Sequence, residues 1–168
     1  LSGDQNLMGD ILLESGQPDK ALPLYRKTVE TMERANVPAE VKEATRRNLL
    51  YDETRSALAK SDLAAAKAKS AAYAQAVATK KIPFEVRQSH ELAGRIAIAE
   101  KSYAAAVQEL EKASPRDPRV LYLLAVALQG KGDAARAKEV CAQAANFNEL
   151  GVNYAYVRTK ARETLAKS

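Results

Sequence analysis

The side chains with the widest chemical repertoire are scarce in this sequence, which has one histidine, His90, and one cysteine, Cys141. A nucleophile needs a base beside it, and a transition-metal site needs three or four His, Cys or carboxylate ligands at set spacings. One imidazole and one thiol assemble neither, and the carboxylates do not cluster as a hard-cation site requires. Gly130 and Gly132 mark a turn, but they lack the spacing and the Lys-Ser/Thr ending of a phosphate loop. Cys141 falls on the inner face of a helical pattern, where a thiol acts as a small apolar side chain; a reactive thiol sits in an exposed, electropositive setting. The sequence therefore predicts no catalytic residue, no metal site and no cofactor.

Charge and composition narrow the classes further. The 26 Lys and Arg against 21 Asp and Glu give a formal net charge of +5, with the two signs interspersed. A nucleic-acid binder carries a basic stripe with interleaved aromatics; here the nearest basic clusters are the pairs Arg46-Arg47 and Lys80-Lys81, and nucleic acid is not the expected partner. The longest apolar run, Val120 to Leu128, falls far short of the ~20 residues of a membrane span. A single cysteine excludes an internal disulfide. With 7 Gly, 6 Pro and 5% aromatics in 168 residues, the chain reads as helical, its core knitted from Ala, Leu and Val. It opens at Leu1 without a methionine and enters a helical pattern almost at once, which reads as a piece of a longer protein; the compartment stays open.

The elements that would position any site come from an internal repeat. Four stretches share a turn followed by a helix with a small residue at a fixed offset: Gly16 to Ala21, Ser61 to Ala66, Lys101 to Ala106 and Gly132 to Ala137. Counted from those alanines, the residues four and seven further on are Tyr25 and Thr28, Ser70 and Tyr73, Leu110 and Ala113, and Cys141 and Ala144, all on one helix face. A helical pattern precedes each turn, and Gly9, Gly94 and Ala125 provide small residues where the paired helix must come close. The expected units are helical hairpins at about 3–36, 38–80, 84–114 and 117–146. Leu150, Tyr154, Val157, Ala161 and Leu165 then mark an amphipathic helix at about 149–166, placed to cap the stack.

This pattern resembles the tetratricopeptide repeat (TPR) family. The third unit is in register through Gly94, Tyr103, Ala106, Leu110, Ala113 and Pro118. The fourth follows through Leu121, Leu124, Ala125, Leu128, Gly132, Ala137 and Ala144, and the first through Gly9, Leu12, Gly16, Ala21 and Tyr25. The second departs, with Glu53 and Thr54 where the family has Leu-Gly. The first two alanine-to-alanine spacings exceed the family's ~34 residues. The excess is expected in the long pair 38–60 and 61–79 and in the connection around Lys80 to Pro83.

The resemblance implies an all-α, right-handed superhelical solenoid of TPR-like hairpins with a C-terminal capping helix, taken as a single domain over 1–168. It also implies a non-catalytic scaffold that binds a protein or peptide in a concave groove walled by the first helix of each hairpin. Carried over by register, the groove-facing residues are Asn6, Asp10, Asn48, Tyr51, Arg55, Gln88, Glu91, Arg95, Arg119 and Tyr122. Arg55 and Arg95 hold equivalent places, where two guanidinium forks would grip a carboxylate. His90 stands where the family has its first-helix Trp and is expected to be a packing residue between hairpins. The alternatives left open are an architectural spacer, a self-association module, or a regulatory domain of a larger enzyme.

Overall fold

In the computed structural model, residues 2–148 and 151–167 are described, and among them every regular element is an α-helix. In chain order these are α1 (Ser2–Glu14), α2 (Pro18–Arg34), α3 (Ala39–Ala59), α4 (Leu63–Lys80), α5 (Pro83–Ala99), α6 (Tyr103–Leu110), α7 (Pro118–Lys131), α8 (Ala134–Ala145) and α9 (Val152–Ala166). Contacts divide the chain into two compact units, residues 1–82 and 83–168. The first holds the hairpins α1–α2 and α3–α4; the second holds α5–α6 and α7–α8 with α9 packed on α8 and α7. The middle of the chain is lengthened within its helices: α3 and α4 run to 21 and 18 residues, and Lys81 and Ile82 alone join α4 to α5.

One turn closes all four hairpins. The fifth residue before each marker alanine has a left-handed backbone: Gly16 (φ 77°), Ser61 (φ 59°), Lys101 (φ 59°) and Gly132 (φ 94°). The amide of that residue donates to a carbonyl three residues back, and the next amide to one five residues back. In the first turn these are Gly16 to Leu13 and Gln17 to Leu12; in the fourth, Gly132 to Gln129 and Asp133 to Leu128. This 6→1 and 5→2 pairing is the Schellman closure, which satisfies the last carbonyls of the first helix. Ser61 and Lys101 make the same bonds although a Cβ resists that conformation by about 1–2 kcal/mol. Aspartates then start two of the returning helices, Asp62 accepting from the Ala65 amide and Asp133 from that of Arg136.

The marker alanines Ala21, Ala66, Ala106 and Ala137 are all buried. One turn further along the returning helices, Gly9 and Gly94 make room for a large side chain: a Cβ on Gly9 would sit 2.6 Å from the Tyr25 ring, and one on Gly94 would sit 2.5 Å from Leu110 Cγ. In the second unit the contact grows into a continuous core of Ala97, Leu110, Val120, Leu124, Leu128, Val140 and their neighbours. From α9, Ala161 joins that core, with Leu165 packed against it; Val157 is buried too. The Tyr154 hydroxyl donates to the Ala145 carbonyl at 2.8 Å, tying α9 to the end of α8. Leu150, which the periodicity assigns to this helix, lies outside the described residues.

Gly94→Ala should lower the stability of the second unit. A methyl gains up to about 1 kcal/mol in helix propensity, but overpacking against the buried Leu110 costs about 1–3 kcal/mol. Urea denaturation showing a gain in stability would refute the close α5–α6 approach.

Candidate functional site

In the first unit the register-derived residues meet, and their charges meet with them. The Arg55 guanidinium donates from Nη1 to Asp10 Oδ1 at 2.7 Å and Asp52 Oδ1 at 3.3 Å, and from Nη2 to Glu14 Oε1 at 3.2 Å. It lies 5.4 Å from the centroid of the Tyr51 ring, and that ring is 6.0 Å from the ring of Tyr73. The Tyr25 hydroxyl donates to Asp10 Oδ1, and Asn48 Nδ2 to Asp52 Oδ2. Burial pushes the Tyr25 phenol well above its ordinary value, so it remains a donor. Seven successive α3 residues, Tyr51 to Ala57, are buried, because α2 and α4 pack on this helix while α1 reaches it through Asp10 and Glu14. Tyr51 and Arg55 thus serve the interior of this unit, where the side chain of Arg55 is only 3% exposed. Asn6 and Asp10 are half-buried on α1.

A second ionic group takes up Glu53. Arg26 donates to its Oε1 at 3.1 Å and Lys69 pairs with its Oε2 at 2.6 Å, joining α2, α3 and α4 beside a cavity of about 170 Å³. Burial raises the Glu53 pKa, but the hydrogen bonds from Lys69 and Arg26 outweigh it, and the net shift is downward. The basic pairs are similarly engaged: Arg46 makes two bonds to Glu33, and Lys80 pairs with Glu43 at 2.7 Å.

In the second unit the same register leaves recesses. Arg95 Nε and Nη2 both reach Glu91 Oε1 at 2.8 Å, one turn apart on α5. Arg119 Nη2 donates to Asp117 Oδ2 at 3.2 Å, and Asn153 Nδ2 donates to the same oxygen from α9. Gln88, Glu91 and Arg119 line one small cavity of about 80 Å³ together with Asp117 and Asn153. Tyr122 lines another, of about 130 Å³ and largely apolar, with Val126 and Gln129 on α7, Cys141 on α8 and Leu165 on α9. The expectation that Arg55 and Arg95 act as one clamp meets two guanidiniums already held by carboxylates of their own units.

The two residues with chemical potential are also accounted for. His90 Nδ1 lies 2.7 Å from Glu109 Oε2. Lys112 first and then His90 hold Glu109 below its ordinary pKa, so the carboxylate is ionised and the ring nitrogen donates. That makes His90 an α5–α6 strap within its own hairpin instead of a contact between hairpins. The Cys141 thiol is buried and donates to the Ala161 carbonyl at 3.4 Å; burial pushes its pKa up, which disfavours the thiolate. Among the described residues no group of three or more His, Cys, Asp or Glu stands ready to hold a metal ion, and no helix is long and apolar enough to cross a membrane.

Residues 97–162 match a family model described as tetratricopeptide repeat. This stretch is of the TPR type. It runs from the end of α5 through α6, α7 and α8 into α9, the part of the chain where the turn, the marker alanines and the apolar core recur most regularly. No curated protein and no solved structure matches the chain. Val126 and Gln129 flank Tyr122 in the TPR stretch and were not among the residues carried over by register. Their spacing of four and then three from Tyr122 puts them on its helix face and is the signal that finds them.

Two measurements check the ionic groups. Arg55→Leu leaves Asp10, Glu14 and Asp52 without their shared cation and should cost roughly 3–5 kcal/mol of stability in the first unit; a loss under 1 kcal/mol by urea denaturation would remove the cluster's structural role. Glu53 has a lowered folded pKa, so its contribution is present above the unfolded value of about 4.3 and is lost as pH falls through the folded value. Glu53→Gln should therefore be less stable at neutral pH and should flatten the acid limb of the stability profile below about pH 5. An unchanged acid limb would assign that pH dependence to other groups.

Proposed function

We propose that this chain is a non-catalytic protein-interaction scaffold. In this reading its hairpins continue one another as a right-handed TPR superhelix, and a segment of a partner protein lies along the first helix of each hairpin. The family match supports the interaction role, since a tetratricopeptide repeat is a protein-binding element.

The observation that carries the reading is the recess between α7 and α9. Tyr122, Val126 and Gln129 form one face of α7, and with Leu165 they enclose a mostly apolar cavity of about 130 Å³, open to the outside. Tyr122 and Leu165 already pack on the core, so the recess has a rigid floor. A pre-formed apolar pocket with few polar groups at its edge suits one side chain of a peptide: it adds buried area without the ordering cost of remodelling the protein. Gln88, Glu91, Arg95 and Arg119 would supply polar contacts along the same wall, and Asn6, Asp10 and Asn48 would do so in the first unit. Tyr51 and Arg55 would act there from beneath, by fixing the helices.

Gln129 is exposed at the mouth, so Gln129→Trp should close the recess while leaving the core unchanged. Peptides selected from a displayed random library against the intact chain should lose at least tenfold in affinity for this variant, with melting unaltered. Failure of the library to enrich any binder, or full binding to the plugged variant, would defeat the proposal.

A further inference from the structure

A second recess in the same unit, distinct from the Tyr122 pocket, lies where the N-terminal ends of α5, α7 and α9 converge. Two cavities, of about 310 and 80 Å³, share Phe84, Ser114, Asp117 and Asn153 as lining residues and so form one groove. Asp117 holds its middle, since it caps the Arg119 amide at 2.8 Å and accepts from Asn153 across to α9.

Three properties of this groove point to one kind of occupant. First, two large apolar side chains border it in the open: Phe84 is 57% exposed and Val152 44% exposed. Second, among its described lining residues the cations outnumber the available anions. Glu91 is engaged by Arg95, and Asp117 by Arg119 and Asn153, whereas Arg87 and Arg116 make no ion pair among the described residues. Third, α9, a helix of 15 residues, starts at Gly151 without a side-chain cap, so the positive end of its dipole is presented to the groove through Gly151, Val152 and Asn153. An apolar contact flanked by fixed positive charge suits a carboxylate next to a hydrophobic side chain. A polynucleotide would want a run of aromatic platforms along a basic track; among the described lining residues Phe84 is exposed and Tyr154 half-buried, which makes no such run.

We infer that this groove binds an acidic linear segment of a partner protein, one in which Asp or Glu adjoins an aromatic or aliphatic residue. The inference rests on the interaction role proposed above and names the partner chemistry for this end of the unit. Arg87 and Arg116 take the carboxylates, and Phe84 and Val152 cover the apolar side chain. The Ser114 hydroxyl and the Asn153 amide are within the groove to meet the peptide backbone.

Fluorescence anisotropy on the full 168-residue chain provides the test, with labelled peptides of alternating Glu and Phe, alternating Lys and Phe, and alternating Glu and Gly, and a labelled single-stranded oligonucleotide. The Glu-Phe peptide should bind most tightly and weaken as salt rises. The double variant Arg87→Glu/Arg116→Glu should bind it at least tenfold more weakly with unchanged circular dichroism, and Val152→Asp should weaken it as well. Gln129→Trp, which closes the other recess, should leave it unaffected. Equal binding of Lys-Phe, tighter binding of the oligonucleotide, no binding of Glu-Phe, or full binding to the double variant would each overturn the inference. If library-selected peptides still depend on an open Tyr122 recess in those cases, the interaction role survives and this groove's part in it does not. If no peptide of either kind binds, both readings fall.

Discussion

The fourth residue of the returning helix in every hairpin is an alanine pressed against the outgoing helix, and that contact sets the geometry of both units. Helices approach this closely only if neither side chain at the crossing extends beyond a methyl group, or if a larger one is bent aside. One turn beyond the alanine the outgoing helix is small instead: Gly9 and Gly94 leave the space that Tyr25 and Leu110 fill, where a Cβ would collide. The turn five residues earlier follows from the same requirement. Only the left-handed residue followed by an immediate helix start brings the alanine round to the crossing, which is why Ser61 and Lys101 accept a backbone conformation that glycine would adopt freely.

Where the second hairpin lacks the small residue, its chemistry changes. Thr54 occupies the position held by Gly9 and Gly94, and it is fully buried with its hydroxyl bonded to the Leu50 carbonyl. Around it the long helix α3 has neighbours on several sides, and its charges are interior groups held by partners on α1, α2 and α4. A buried ion pair adds little net stability over an apolar pair but makes loss of one partner costly, so such a cluster works by fixing which helices may sit together. Arg55 reaches α1 through Asp10 and Glu14, and Glu53 reaches α2 and α4 through Arg26 and Lys69. The first unit therefore has its register written in charge, whereas the second has it written in shape.

That contrast decides what could be read from the sequence. The alanine spacing made an all-helical repeat legible, because small residues at a fixed period report helix crossings directly. It said nothing of the fate of Asp52, Glu53 and Arg55, since a charged stretch on a helix reads as a solvated face unless a third and fourth helix are known to cover it. The register put Tyr51 and Arg55 on a first helix but could not tell a wall that faces a partner from one sealed by Asp10 and Glu14. The pocket at Tyr122 was half legible: Val126 and Gln129 follow from helix period, while Leu165 comes from α9 and depends on how that helix packs. Gly130 was read as part of a turn, yet it lies in the last turn of α7 as a close-contact residue, 2.5 Å from the Tyr103 ring when given a Cβ. The signal for it, an aromatic at the start of the next-door hairpin's returning helix, becomes meaningful only once α6 and α7 are known to touch.

The same contrast bears on where a partner would be held. In the first unit the strongest hydrogen-bonding groups on the inner helices have already found carboxylates, and a ligand anion would have to displace Asp10 or Asp52 from Arg55 inside a low-dielectric setting. Such exchange loses a charge-assisted bond for each one gained and leaves a buried carboxylate behind, so it offers no net affinity. In the second unit apolar packing holds the helices, and Arg87 and Arg116 at the recess edges make no ion pair among the described residues. Phe84, Arg87, Arg116, Val126 and Gln129 can be satisfied by something from outside without undoing any contact within. A unit stabilised by shape has polar and apolar surface to spare, and on the reading proposed above that is the physical reason to test residues 83–168 first for recognition.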